Sequence, residues 1–382
     1  MTQVRLERAR ASSWQGLAHY DRRDREAGTG RACVSTQLSV GDRVVVLGGS
    51  GFIGSHVIPA LVEVGVSVVS YDLYPPEHPL PAGVEDVRGD IRDVARLTEV
   101  LTGCDAVLNL AAAHHDFGLS PSTFSSVNVD GAHSVVAAMV ATGVRNLCFY
   151  SSVAVYGDAG PRPDETSTPH PVNDYGRTKL EAEGIYREWQ AGGEDRRLLV
   201  IRPAVVFGPR NYANVYRMIH QVARHRFLPV GKGSNRKSMI FVTNVVAAIL
   251  HLWMRPPLRE VEIYNCVDQP DLTSAEILAE VYRGLGRRVP PWRVPLRPAL
   301  IAAKPFDLIA RVTGRNLPIT SERIRKLADM ETSFAADRVR TTGYEQPVSL
   351  RAGIATMVTW YLEEGRNVTP VEHLPPERPR LS

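Results

Sequence analysis

The chain has 382 residues, with 45 Lys and Arg against 41 Asp and Glu and a formal net charge of +4. So small a charge on this length makes no electrostatic case for a nucleic-acid partner, and no apolar run approaches the roughly 18 residues of a membrane span. The four cysteines, Cys33, Cys104, Cys148 and Cys266, are far apart and form no C-x-x-C, which argues against a disulfide framework or a zinc site and for a reducing, cytoplasmic setting.

Residues 1–40 carry scattered Arg, Asp and Glu with little apolar periodicity. They are expected to be a mobile extension, with a helix around Leu6–Tyr20 as the alternative, and they show no apolar signal-peptide core. The order then sharpens. Arg43–Leu47 is β-branched and apolar, and reads as a buried strand. Gly48, Gly49, Ser50, Gly51, Phe52, Ile53 and Gly54 follow at once. Val57, Ile58, Leu61 and Val62 are spaced for one helix face. Strand, glycine turn and helix is the context that a dinucleotide-binding fingerprint requires. Gly49, Gly51 and Gly54 fit G-x-G-x-x-G; Gly48, Gly51 and Gly54 fit G-x-x-G-x-x-G. The next strand, 66–71, ends at Asp72, 18 residues after Gly54 and near the spacing of a ribose-binding acid. An acid there repels a 2′-phosphate, so NAD is expected as the cofactor.

Further strands are predicted over 106–110, 145–150 and 198–201, and helices over 54–64, 93–101, 121–142 and 175–190. Alternation of this kind means βαβ units and a parallel sheet with helices on both faces. Gly89–Asp93 has two readings: Asp93 caps the next helix, or Asp90 and Ile91 lie beside an adenine ring. Leu110, Ala111, Ala112 and Ala113 end a strand in small residues that let a flat cofactor lie against the backbone. His114, His115 and Asp116 follow. Two adjacent histidines without further ligands make no metal site, so His114 is read as a substrate contact. Asn128 falls inside a predicted helix and is either solvated or bonded across to the sheet.

Strand 145–150 ends in Ser151 and Ser152, and Tyr175 and Lys179 lie four apart at a predicted helix start. Four residues put both on one face. A free Tyr is a poor base at neutral pH because its pKa is near 10. A neighbouring ammonium favours the phenolate. With a Ser hydroxyl on the same substrate oxygen, the set is a proton shuttle for alcohol–ketone conversion. With 13 Tyr in 382 residues, and few Lys, about 0.2 chance matches to Y-x-x-x-K are expected, so its weight comes from context.

On these residues the chain resembles an extended short-chain dehydrogenase/reductase of the NAD-dependent epimerase/dehydratase type that acts on nucleotide sugars. The likeness runs from about residue 43 to 362. It includes Arg202, Pro203, Gly208–Arg210 and Phe241–Val245. The resemblance implies Ser152, Tyr175 and Lys179 as the catalytic set. It assigns Gly48, Gly51, Phe52, Ile53, Gly54, Asp72, Asp90, Ile91, Leu110, Ala111, Ala112 and Asn128 to the cofactor. It further implies a homodimer through helices 121–142 and 175–190.

Three departures matter. Sugar 4,6-dehydratases of this type place Asp-Glu after the catalytic Ser or Thr, where this chain has Val153 and Ala154. The phosphate-contacting Asn of the best-known 4-epimerases is Val205, with Asn211 or Asn214 as substitutes. The usual Arg of a later strand is Lys237, beside Arg236; either can hold phosphate. Residues 211–238 and 266–365 are expected to form the substrate lobe, with a strand at Tyr264–Asp268, a capped helix over 272–285, and Arg323, Arg325 and Arg338 as further candidates. Residues 239–265 return to the first lobe, spanning 41–210, and 366–382 form a mobile tail. The expected architecture is therefore α/β: a doubly wound parallel (Rossmann) sheet with a smaller C-terminal α/β substrate lobe. The expected function is NAD-dependent epimerisation of a nucleotide sugar through transient oxidation at C4. Two alternatives stay open: an NAD(P)-dependent dehydrogenase or ketoreductase of a keto-sugar or sterol-like alcohol, and a cofactor-binding scaffold without chemistry.

Overall fold

Val44 and Val46 point into one core and Val45 and Leu47 into another, because successive side chains leave opposite faces of a strand. All four are fully buried, so the strand β1 (Arg43–Leu47) must be covered on both sides. This computed structural model describes residues 37–114, 118–313, 320–321, 324–325, 330–369 and 373–379. The possible helix at 6–20, Cys33, His115, Asp116 and Arg323 lie outside them.

Seven parallel strands form the sheet, in the order β10-β6-β5-β4-β1-β2-β3. They are β2 (Ser67–Asp72), β3 (Glu85–Arg88), β4 (Ala106–Asn109), β5 (Asn146–Tyr150), β6 (Arg197–Pro203) and β10 (Val261–Cys266), with β1. The order reverses between β1 and β4, where ligands of such sheets bind. One face packs on α1 (Gly54–Glu63) and α6 (Val242–Met254). The other packs on α2 (Val94–Leu101), α3 (Gly131–Thr142) and α4 (Asp174–Ala191). A left-handed Gly143, φ 76°, ends α3. The turns before α3 are α-helical over Pro121–Phe124 and π-helical over Ser125–Asp130.

A third core lies among α5 (Asn214–Ala223), α7 (Ser274–Gly284) and α9 (Leu350–Glu363). It includes Phe207 and Phe241 from a two-stranded ladder of β7 (Val205–Phe207) and β9 (Met239–Phe241). A second short ladder joins β8 (Arg236–Lys237) to β11 (Leu272–Thr273). Thr273 caps α7 through a reciprocal pair with Glu276. The helix α8 (Leu296–Thr313) adds to this lobe.

Three expectations are corrected. The strand placed at Tyr264–Asp268 in the substrate lobe is β10, which pairs with β6 from Val261↔Leu198 to Cys266↔Pro203 and forms the sheet's edge. β9 returns to β7 and not to the main sheet. The tail, expected to be mobile, docks on the first lobe. Tyr74 stacks on His373 with centroids 4.6 Å apart and donates to Leu374 O at 2.7 Å. Arg92 donates to the carbonyls of Pro376, Glu377 and Arg378. A Pro-rich extended segment leaves its carbonyls without internal partners, and the guanidinium supplies them.

Trp253 is fully buried and donates from Nε1 to Asn146 Oδ1 at 2.7 Å, joining α6 to β5. Trp253→Ala is expected to lower the unfolding free energy by about 3–5 kcal/mol. Urea titration followed by far-ultraviolet circular dichroism checks this; a loss under about 1 kcal/mol would contradict the placement of this core.

Candidate active site

The glycine turn sits at the switch point. Gly48 has φ +80°, and a Cβ there would lie 2.7 Å from Ala111 N. A Cβ on Gly54 would lie 2.2 Å from Gly49 O. Both glycines are demanded by the fold itself. Gly51 is different: its Cβ would meet only Gly48 O, at 3.3 Å. A near-tolerable contact does not force glycine there. A glycine here leaves the backbone at the start of α1 open to close approach, the arrangement that suits a pyrophosphate. Phe52 and Ile53 complete the turn, and Ile53 N-caps α1. Opposite, Leu110 N donates to Leu47 O at 2.8 Å, which sets Leu110, Ala111 and Ala112 beside the turn.

Asp72 ends β2. Its carboxylate accepts from Ser50 N and Tyr74 N, both at 3.0 Å. Burial raises its pKa, and those backbone amides pull it back down. A carboxylate aimed at the glycine turn suits a ribose diol. The turn, the small-residue wall and this acid therefore fit a dinucleotide.

Asp90 is buried and makes a two-pronged bond to Arg92, with Nε at 2.8 Å and a terminal nitrogen at 2.7 Å. Its carboxylate thus anchors Arg92, while Asp93 caps α2 by accepting from Arg96 N at 3.0 Å. Ile91 is buried against Gly131. Asn128 lies in the π-helical turn, where its Oδ1 accepts from Ala113 N at 2.8 Å and its Nδ2 donates to Ala113 O and Thr178 Oγ1. It bonds across to the end of β4 and ties that end to α4. His114 is exposed and sits 3.3 Å from Ala112 O.

Beyond β5 the chain turns through Ser152, whose Oγ accepts from Ala154 N at 3.1 Å. With that lone pair engaged, its O–H is left to donate to a substrate oxygen. Tyr175 is half-buried on the first turn of α4. One turn later Lys179 is buried, and its Nζ donates to Tyr150 O at 2.6 Å and lies 4.6 Å from the centroid of Phe149. Burial lowers the Lys179 pKa to about 7, with Glu183 opposing. An anion one turn away favours the ammonium, and the ammonium favours that anion. Tyr175 lies one turn before Lys179 on the same helix face.

Sequence reasoning passed over Glu183, one turn further on. It is fully buried and holds Arg202 through two bonds, at 2.8 and 2.6 Å. Ser151 Oγ donates to Glu183 at 2.6 Å. Arg202 also donates to Tyr156 Oη, which donates to Asn265 Oδ1. The available signal was the i, i+4 continuation of the Tyr175–Lys179 face.

The proposed phosphate contacts are more dispersed. Asn214 is exposed at the start of α5. Arg236 donates to Asp271 O at 3.0 Å and Lys237 to Met330 O at 2.6 Å, so both help to hold the short ladder. Asn211 serves its own loop through Ala213 N. Arg338 lies 5.4 Å from the Tyr264 ring. Among the described residues no group of three His, Cys, Asp or Glu is placed to hold a metal ion.

The model of the NAD dependent epimerase/dehydratase family matches residues 44–266. The N-acetyl-alpha-D-glucosaminyl-diphospho-ditrans,octacis-undecaprenol 4-epimerase of Escherichia coli O157:H7 is 36% identical over 314 residues, 82% of this chain and 93% of that protein. The solved structure of MoeE5 with UDP-glucose and NAD is 26% identical with a TM-score of 0.65, and the match covers 85% of this chain and 99% of that one. A UDP-glucuronic acid 4-epimerase from Bacillus cereus with NAD, 18% identical, shares the fold with a TM-score of 0.67 over 84% of this chain and 99% of its own.

Lys179 gives a pH signature. Its folded pKa lies below the ordinary 10.5, so between about pH 7 and pH 10 the unfolded chain holds a proton that the folded chain releases. Stability from this group rises with pH across that window and is lost as pH falls through it. Relative to Lys179→Met, the wild type is expected to gain about 2 kcal/mol between pH 7 and pH 9. Denaturant melts of both proteins at the two pH values check it; parallel behaviour would refute the buried ammonium.

Proposed function

The chain belongs to the NAD dependent epimerase/dehydratase family, and from that premise we propose that it epimerises C4 of a sugar carried on a diphosphate. One observation supports the reading: Lys179, one turn after Tyr175 on α4, reaches the Tyr150 carbonyl at the end of β5, two residues before Ser152, with apolar Val153 and Ala154 where dehydration needs acids. Nucleotide sugars are one source of such a group, as in MoeE5 with UDP-glucose. The E. coli relative's substrate joins the sugar through a diphosphate to a polyprenol. Both present the same sugar diphosphate.

Tyr175, as the phenolate that the Lys179 ammonium favours, takes the C4 hydroxyl proton and becomes the neutral phenol. Ser152 holds the same oxygen by donating its O–H. NAD, when bound by the glycine turn and Asp72, supplies the acceptor and donor of the C4 hydride. The 4-keto sugar turns over in the site, and Tyr175 returns the proton to the new alcohol. The net change is a stereocentre with no net redox.

We also place the chain on the cytoplasmic side, where the free thiols of Cys104, Cys148 and Cys266 stay reduced. A homodimer through the outer faces of 121–142 and 174–191 is the assembly we infer, with Val140, 56% exposed, on that surface.

Purified protein without added cofactor is expected to interconvert UDP-glucose or UDP-N-acetylglucosamine, or the matching polyprenyl diphosphate sugar, with its 4-epimer in an NMR time course. Tyr175→Phe should lose about 10²–10⁴-fold in kcat. Turnover only with stoichiometric consumption of nicotinamide would instead establish a dehydrogenase.

A further inference from the structure

α8 is amphipathic in the wrong sense for a water-facing helix. Its inward side carries small or half-buried residues: Ala299 and Ala303 are buried, and Leu296 and Leu300 are partly so. Its outward side carries Pro298, Ile301, Ala302, Pro305, Phe306 and Ile309, all exposed. At 100° per residue these six span an arc of about 140°, and from Leu296 to Ile309 no polar residue falls within it. Ile301 is 66% exposed, Phe306 41% and Ile309 48%. A globular helix in water ordinarily turns such an arc inward.

The flanks carry charge of one sign. Arg297 and Lys304 are exposed along one border of the arc. Asp307, the one acid of the helix, lies on the inward half and accepts from Ser321. The approach to α8 continues the surface. A parallel bridge between Val230 and Val294 sets Leu228 level with Trp292. Leu228 is 61% exposed, Trp292 52% and Val289 37%, beside an exposed Arg288.

We propose that the outer face of α8, with Trp292 and Leu228, docks this protein in the plane of an anionic lipid bilayer. An apolar arc with a basic border and a neighbouring Trp is the form of an interfacial helix. Charge complementarity selects the bilayer over a second copy of the chain. Two such faces packed antiparallel about a two-fold axis bring the Arg297 and Lys304 borders of both copies to one side, whereas anionic headgroups neutralise them. No described helix is long and apolar enough to cross a membrane, so the contact lies along the surface. The docking stands on the helix alone. Its consequence, that the site can draw a diphosphate-linked sugar from a lipid carrier, rests on the epimerase reading.

Flotation of the full chain with vesicles of phosphatidylcholine and phosphatidylglycerol tests it. The wild type is expected to float with the mixed vesicles, less so at high salt or on phosphatidylcholine alone. The triple variant Ile301→Ser, Phe306→Ser, Ile309→Ser should partition at least about tenfold less, with an unchanged circular dichroism spectrum. Equal flotation of variant and wild type, or a wild type that stays in the soluble fraction, overturns the proposal. So does a triple variant whose mass by light scattering falls from dimer to monomer without any lipid binding by the wild type. Flotation without epimerisation would refute the function above and leave the docking intact; epimerisation without flotation does the reverse.

Discussion

A lysine amine held out of water is the constraint from which this site is built. Lys179 reaches the Tyr150 carbonyl at the C-terminal end of β5, inside the sheet, and is buried there. Such a group is stable only in a place that the rest of the protein fixes. Glu183, one turn along α4, does the fixing by gripping Arg202 of β6 and the Ser151 hydroxyl of the loop after β5. Removing either partner of that ion pair would leave the other charge buried, at about 3–5 kcal/mol. α4 is thus keyed to the sheet at two successive turns. Tyr175, on the turn before them, inherits its position from both.

The switch point supplies the other half. Gly48 is glycine because the end of β4 passes too close for a Cβ, and Gly54 because α1 starts against Gly49. These close approaches bring the wall at Leu110–Ala112 and the acid Asp72 to opposite sides of one crevice. Asn128 then ties the β4 end to Thr178, so the cofactor crevice and the catalytic helix share a brace. The π-helical turn that carries Asn128 aims it there, which a regular helix would not do at the same spacing.

The central sheet was legible because its strands are buried on both faces and read as unbroken apolar runs. β3 was not: Glu85, Asp86 and Arg88 are polar, and Val87 alone is buried. α6 is apolar nearly all round, with ten residues of Val242–Met254 buried, and periodicity alone does not separate such a run from a buried strand. The spacing that puts Tyr175 and Lys179 on one face of α4 was legible, since the helix starts where it was expected. Glu183 and Tyr156 were not singled out, because a buried ion pair is defined by its partner, and Arg202 is 19 residues away. Arg236 and Lys237 show the converse. Their charge reads as a phosphate clamp, and in the structure each also donates to a backbone carbonyl, Arg236 to Asp271 O and Lys237 to Met330 O.

The same packing limits the chemistry. The turn after Ser152 carries Val153 into the core, where it is 8% exposed. The first turn of α4 presses on that turn so closely that a Cβ on Gly176 would lie 2.3 Å from Ala154 O. A carboxylate at position 153 would be buried without a partner, at a cost that a pKa shift would answer by neutralising it. The geometry that holds Tyr175 over Lys179 therefore leaves no room for the acid pair that would carry a keto-sugar on to loss of water. On the proposed mechanism, in which Ser152 holds the oxygen and Tyr175 moves its proton, the keto-sugar goes back to an alcohol. A site that can only reverse its first step is an epimerase as soon as the sugar can turn over within it.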